Sequence, residues 1–103
     1  MATGTLGQAA LSGITNTTVY TVPAGKTATF SVTLLNRGGG PLTARLAISS
    51  TGTPTNAEYI EYDASISQNS VLERTGLVAS AGKQIVAYSS TNDLVVNVYG
   101  YED

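Results

Sequence analysis

The chain has no cysteine, no histidine and no tryptophan, and only 12% of its 103 residues are charged. Without cysteine there is neither a disulfide framework nor a thiolate metal site, which fits folding in a reducing cytosol. Without histidine the usual acid–base group near neutral pH is missing, with it the commonest zinc ligand, and no Ser-His-Asp triad can be assembled. No cofactor and no metal are expected. Lys and Arg number five against seven Asp and Glu, for a net charge of −2, and they form no cluster. The electrostatic footprint of a nucleic-acid binder is therefore absent. No apolar run approaches the roughly 20 residues that span a bilayer. The first ten residues, MATGTLGQAA, lack a basic region followed by an apolar stretch, so no signal peptide is expected. The Asn16-Thr17-Thr18 sequon consequently has no secretory context. Small soluble domains normally carry charge on about a quarter of their residues. A chain this poor in charge covers itself with Thr, Ser and Asn, or hides surface against a partner.

What is present is alternation. In KTATFSVTLL, Ala28, Phe30, Val32 and Leu34 fall on one side and Thr27, Thr29, Ser31 and Thr33 on the other. A period of two with one apolar face predicts a half-buried strand. PLTARLAIS repeats it, with Leu42, Ala44, Leu46 and Ile48 inward and Thr43, Arg45 and Ser49 outward. In the C-terminal run Leu94, Val96 and Val98 oppose Val95, Asn97, Tyr99 and Tyr101. Further strands are predicted over 17–22, 57–63, 70–78 and 83–89, with LGQAAL as an additional N-terminal one. Turn chemistry separates them at 36–41, 51–56, 67–70, 80–83 and 90–93. Turns about every ten residues between short strands predict an all-β, antiparallel β-sandwich of about seven to eight strands. Either an Ig-like or a jelly-roll-like strand order satisfies this pattern. Residues 1–103 are read as one domain.

Gly25-Lys26-Thr27 has the ending of a phosphate-binding loop. Such a loop needs a second glycine five residues before the Gly-Lys pair and a helix after it. The first position is Tyr20, and a β-alternating run follows. The segment is read instead as a turn, with Pro23 at its second position and Gly25 easing its exit. PAGKTATFSV and SAGKQIVAYS, 57 residues apart, share Ala-Gly-Lys before a strand, which suggests two hairpins with similar turn chemistry.

Among the acidic residues, Glu61 and Asp63 would share a strand face about 7 Å apart. That spacing suits a calcium site or glycoside chemistry. The plainer expectation is cross-strand pairing with Arg45, Arg74 or Arg37. The Thr27–Thr33 hydroxyl ladder reads either as a flat ligand-binding array or as the wet side of a strand. Six tyrosines against one Phe are the clearest interaction signal, because Tyr gives large contact area at low entropic cost. Tyr59, Tyr99 and Tyr101, with Arg37 and Arg45, form the candidate interface set.

The runs TTVYTVPAGKTATFSVTLLNRGG, RLAIS, EYIEYD, LERTGLVASAGK and VNVYGYED resemble a small all-β module of tailed-phage virion proteins, especially in phages of cyanobacteria. The likeness extends from about Thr17 to the C-terminus, with YTVPAGKTA its most recurrent part. Such modules also occur within longer tail and fibre proteins. The resemblance brings no catalytic residues, so a non-enzymatic structural protein is expected. It implies a capsid decoration (cement) protein that binds the major capsid protein or other virion proteins, associates as a dimer or trimer, and is made in the host cytoplasm before joining the virion. The alternative it implies is a tail, baseplate or fibre-associated module that binds a host-surface glycan, with the Thr ladder, Tyr59, Tyr99 and Tyr101 as its contacts. Open sheet edges are expected to allow strand addition between neighbouring subunits.

Overall fold

The computed structural model describes residues 3–103. Eight strands follow in order: β1 (Thr3–Ala10), β2 (Thr17–Thr21), β3 (Ala28–Asn36), β4 (Leu42–Ser49), β5 (Tyr59–Ile66), β6 (Val71–Ala79), β7 (Gln84–Ser89) and β8 (Leu94–Glu102). A single 3-10 turn, Asn56–Glu58, precedes β5. Two four-stranded antiparallel sheets result, β1-β8-β3-β6 (sheet A) and β2-β7-β4-β5 (sheet B). Each strand pairs with the one equally far from the other end of the series: β1 with β8, β2 with β7, β3 with β6 and β4 with β5. The chain is thus one long antiparallel ribbon wrapped over itself. That arrangement is a jelly roll, which decides between the two strand orders left open by alternation.

The predicted inward faces of the central strands are buried. Leu34, Leu46, Ile85, Leu94, Val96 and Val98 fill the space between the sheets, with Phe30 and Val32 beside them. β4 departs from simple alternation near its end. Ile48 is half-buried, whereas Ala47 and Ser49, on the outward side, are fully buried. Ala47 pairs with Val86, and Val86 is buried too. Neither belongs to the inter-sheet core. Residues 50–58 cross the outer face of sheet B above them. Lys83 Nζ donates to Ser50 Oγ at 2.8 Å, and Gly52 sits over the side chains of Thr18 and Gln84.

The ribbon passes from one sheet to the other three times, and each time two connections turn side by side. Residues 11–16 run with 90–93, 22–27 with 80–83, and 37–41 with 67–70. The twin Ala-Gly-Lys segments are the middle crossing, so they connect opposite sheets rather than forming hairpins. Lys26 N–H donates to Pro23 O and Lys83 N–H to Ser80 O. Pro23 is therefore the first residue of its turn, not the second. Gly25 (φ +75°) and Gly82 (φ +83°) occupy equivalent third positions, where a type II turn requires positive φ. The two crossings are stitched together through Val22, whose N–H donates to Lys83 O and whose carbonyl accepts from Gly82 N–H, both at 2.9 Å.

The 37–41 and 67–70 crossing is held by a buried side chain. Asn36 is fully buried. Its Nδ2 donates to Gly40 O at 2.8 Å and to Ile66 O at 3.0 Å, and its Oδ1 accepts from Gly38 N–H at 2.9 Å. Its backbone N–H donates to Ser70 O.

Both sides of the sandwich are closed. On one side Gly7 of β1 lies against β2: a Cβ there would stand 2.3 Å from Val19 O. On the other, edge strands β5 and β6 each carry a bulge, with positive φ at Asp63 (+53°) and Gly76 (+69°). Arg74 of β6 points inward, opposite core residue Val32, and pairs with Glu61 of β5. Bulges and inward charges are devices that block edge pairing. The expectation of strand addition therefore gives way: on this side the edges are irregular and bridged to each other.

Asn36→Ala is expected to lower unfolding stability by about 2–3 kcal/mol, because it leaves buried backbone groups of both connections without partners. Urea denaturation with an unchanged m-value would measure it; a loss below about 0.5 kcal/mol would show that solvent replaces the amide.

Candidate functional site

The five candidate interface residues do not form one patch. Tyr99 and Tyr101 lie on the outer face of sheet A, Arg45 and Tyr59 on the outer face of sheet B, and exposed Arg37 in the 37–41 connection, its N–H bonded to Asp93 O. The Thr ladder is not an exposed array. Thr29, Ser31 and Thr33 are half-buried between β8 and β6, and Thr27 lies in the preceding turn with its backbone paired to Asp103.

On sheet A, strand alternation brings Tyr101 opposite Thr29, and Thr29 opposite Val78. At the other end of the same face Leu35 lies between Val71 and Val95. Val71 (57%), Val78 (59%) and Tyr101 (46%) are among the most exposed large apolar side chains. Tyr99 donates its hydroxyl to the Glu73 carboxylate. That bond, with some burial, raises the phenol pKa above its ordinary value.

On sheet B the β5 bulge organises the surface. Between Ala44 and Leu46 the β4 register advances two residues while β5 moves from Ala64 to Glu61. The extra residue breaks the period, so Glu61 and Asp63 do not share a face. Glu61 turns toward the sheet interface and meets Arg74, and Asp63 turns outward to Arg45, its Oδ1 accepting from Arg45 Nε at 2.7 Å. Pairing with Arg45 and Arg74 is as expected; the two-carboxylate site is not formed. The Arg45 guanidinium lies 4.3 Å from the Tyr62 ring centroid and 4.5 Å from that of Tyr88. The hydrogen bond to Asp63 pushes its pKa further up. Tyr59 meets Tyr62 edge-on, with centroids 4.9 Å apart and planes at 81°. Exposed ion pairs and cation–π contacts contribute about 0.5–1 kcal/mol each. Their main effect here is to fix side-chain direction rather than to stabilise the fold.

Asn56, Tyr59 and Tyr62 line an open pocket of about 450 Å³ where residues 50–58 meet this cluster. Glu58, between Asn56 and Tyr59 in the chain, ties both ends of the 50–58 segment together. Its carboxylate accepts from Thr55 N–H (2.8 Å), Ser50 N–H (3.0 Å) and Ser49 Oγ (2.9 Å). These donors hold the carboxyl near a pKa of about 2. Tyr62 and Tyr88 were not singled out by alternation. A bulge inside EYIEYD had no sequence signal stronger than the positive-φ tolerance of Asp.

The sixth tyrosine is structural. Tyr20 of β2 donates its hydroxyl to Glu102 of β8 across the sandwich interior, and both residues are buried. Burial first, and then this bond, raises the Tyr20 pKa well above its usual value. Among the described residues no group of three Asp or Glu is placed to hold a metal ion, and no helix is long and apolar enough to cross a membrane.

Glu58 supplies a pH prediction. Its folded pKa lies below the unfolded value of about 4.3, so its contribution is complete above that pH and fades as pH falls toward 2. Between about pH 5 and pH 2.5 the wild-type Tm should fall further than that of Glu58→Gln; equal falls would remove Glu58 as the anchor of residues 50–58. No protein-family model matches the chain, and neither a curated protein nor a solved structure matches it significantly.

Proposed function

We propose that the protein is a structural subunit of a tailed-phage particle that decorates the capsid and docks through the outer face of sheet A. The observation that carries this reading is the difference between the two faces. Sheet B covers much of its own outer surface with residues 50–58 and the Arg45 cluster. Sheet A leaves Leu35, Val71, Val78, Tyr99 and Tyr101 exposed on a bare four-stranded face. Exposed apolar side chains grouped on one face mark interaction surfaces. The sequence likeness to phage modules supplies the partner, the major capsid protein. Because the edge strands are blocked, contact with a shell or with sibling subunits is by face. Many copies on one particle make a modest individual contact sufficient.

The test is co-sedimentation with matching empty capsids. Wild-type protein should pellet with them, and the Val71→Glu, Tyr101→Ser double variant should need about tenfold more protein for equal occupancy. Surface changes of this kind should leave stability within about 0.5 kcal/mol. A protein that stays in the supernatant, or a variant that pellets as the wild type does, would overturn the reading.

A further inference from the structure

We infer that the corner formed by Tyr59, Tyr62 and Asn56 is a carbohydrate site that takes a single hexopyranose unit of a neutral glycan. The inference does not rest on capsid docking, since this corner is on sheet B and the proposed docking face is on sheet A.

A pyranose ring presents an apolar C–H face and a rim of hydroxyl groups. Its receptor needs a firm aromatic surface and a few polar groups beside it. Both requirements are met. Tyr62 is 58% exposed, yet its ring is braced by Arg45 on β4 and by the perpendicular Tyr59. Arg45 is itself fixed by Asp63 and Tyr88. Two rings at 81° make a corner: one wall suits the apolar face of a sugar and the other its edge. Asn56 lines the same pocket, and an Asn carboxamide can both donate and accept hydrogen bonds, as a hydroxyl pair requires. Asp63 uses Oδ1 on Arg45 and retains Oδ2 as an acceptor next to Tyr62.

The construction of this corner is specific. Asp63 adopts φ +53°, a conformation uncommon outside glycine, and the bulge it belongs to turns Tyr62 and Asp63 outward together. The pocket falls within the roughly 300–1,000 Å³ typical of small-ligand sites. Its lining is too short for an extended proline-rich peptide, which needs a groove several residues long. The glycan contacts expected from the sequence are thereby revised: Tyr59 remains, Tyr62 and Asn56 join it, and Tyr99, Tyr101 and the Thr ladder belong to the opposite sheet.

Affinity electrophoresis through separate gels containing dextran, mannan, galactan or soluble starch tests the site. At least one polysaccharide should retard the wild-type protein. Tyr62→Ala should weaken retardation about tenfold, and Tyr101→Ala should leave it unchanged. As a measurement that needs no variant, titration of the corresponding free hexose should shift the ring resonances of Tyr59 and Tyr62 while leaving those of Tyr20, Tyr99 and Tyr101 in place. Failure of every gel and every hexose overturns the assignment. So does equal retardation of Tyr62→Ala and wild type, or a response of Tyr59 and Tyr62 to a proline-rich peptide but to no sugar. Capsid co-sedimentation of Tyr62→Ala is expected to match the wild type, so the two readings fail separately.

Discussion

The whole molecule depends on a paired ribbon turning three corners without leaving backbone polar groups stranded. A buried, unpaired N–H or carbonyl costs about 1–3 kcal/mol, and each corner carries two connections past the ends of a greasy interior. Three different solutions appear. At the middle corner, two Ala-Gly-Lys turns of the same geometry bond to each other through Val22. At another, one buried asparagine satisfies both connections. At the remaining one, Asn92 Oδ1 accepts from Gly13 N–H at 2.6 Å and Ser89 O from Ile14 N–H at 2.8 Å. The internal echo in the sequence is thus neither a nucleotide motif nor a duplicated domain. It reflects one corner solved in the same way on both strands of the ribbon.

Closing the corners leaves the sides and faces to carry interaction. The β1–β2 side is sealed by the close approach at Gly7 and the β5–β6 side by bulges and an inward ion pair. The two faces then diverge in character. Sheet A is open, with apolar side chains at both ends of a polar centre. Sheet B is partly roofed by its own loop and bears an aromatic cluster held by one arginine. With few charges available, the Arg45–Asp63 pair serves to orient rings rather than to keep the surface soluble.

Much of this was legible in alternation. The inward positions of β3 and β8 were readable residue by residue, because both are central strands with one face on the core and the other half-covered by neighbours. The inward positions of β4 were readable through Ile48, which packs against the core. On the outward side, Ala47 and Ser49 are buried by a loop folding back over the outer face, which a two-residue period cannot register. Strand order was not legible, since alternation specifies faces and not neighbours. The arginine pairing of Glu61 and Asp63 was legible, but their shared face was not, because the bulge at Asp63, in αL, puts an extra residue between Glu61 and Ala64 and breaks the two-residue period. The inter-sheet bond between Tyr20 and Glu102 was hidden for a different reason: a charged residue near the C-terminus gives no sign that its partner lies at the start of the chain.

The pairing of β1 and β3 with β8 also governs when the fold can form. Strands β8 and β3 are the two inner members of sheet A, yet β8 follows the other seven strands in the chain and so leaves the ribosome after them. Until then β1 lacks its partner in that sheet, and β3 has only β6. The inward apolar residues of β3, Phe30, Val32 and Leu34, therefore stay without their β8 neighbours until all eight strands are made, a non-local pairing that slows folding and prolongs exposure of apolar surface.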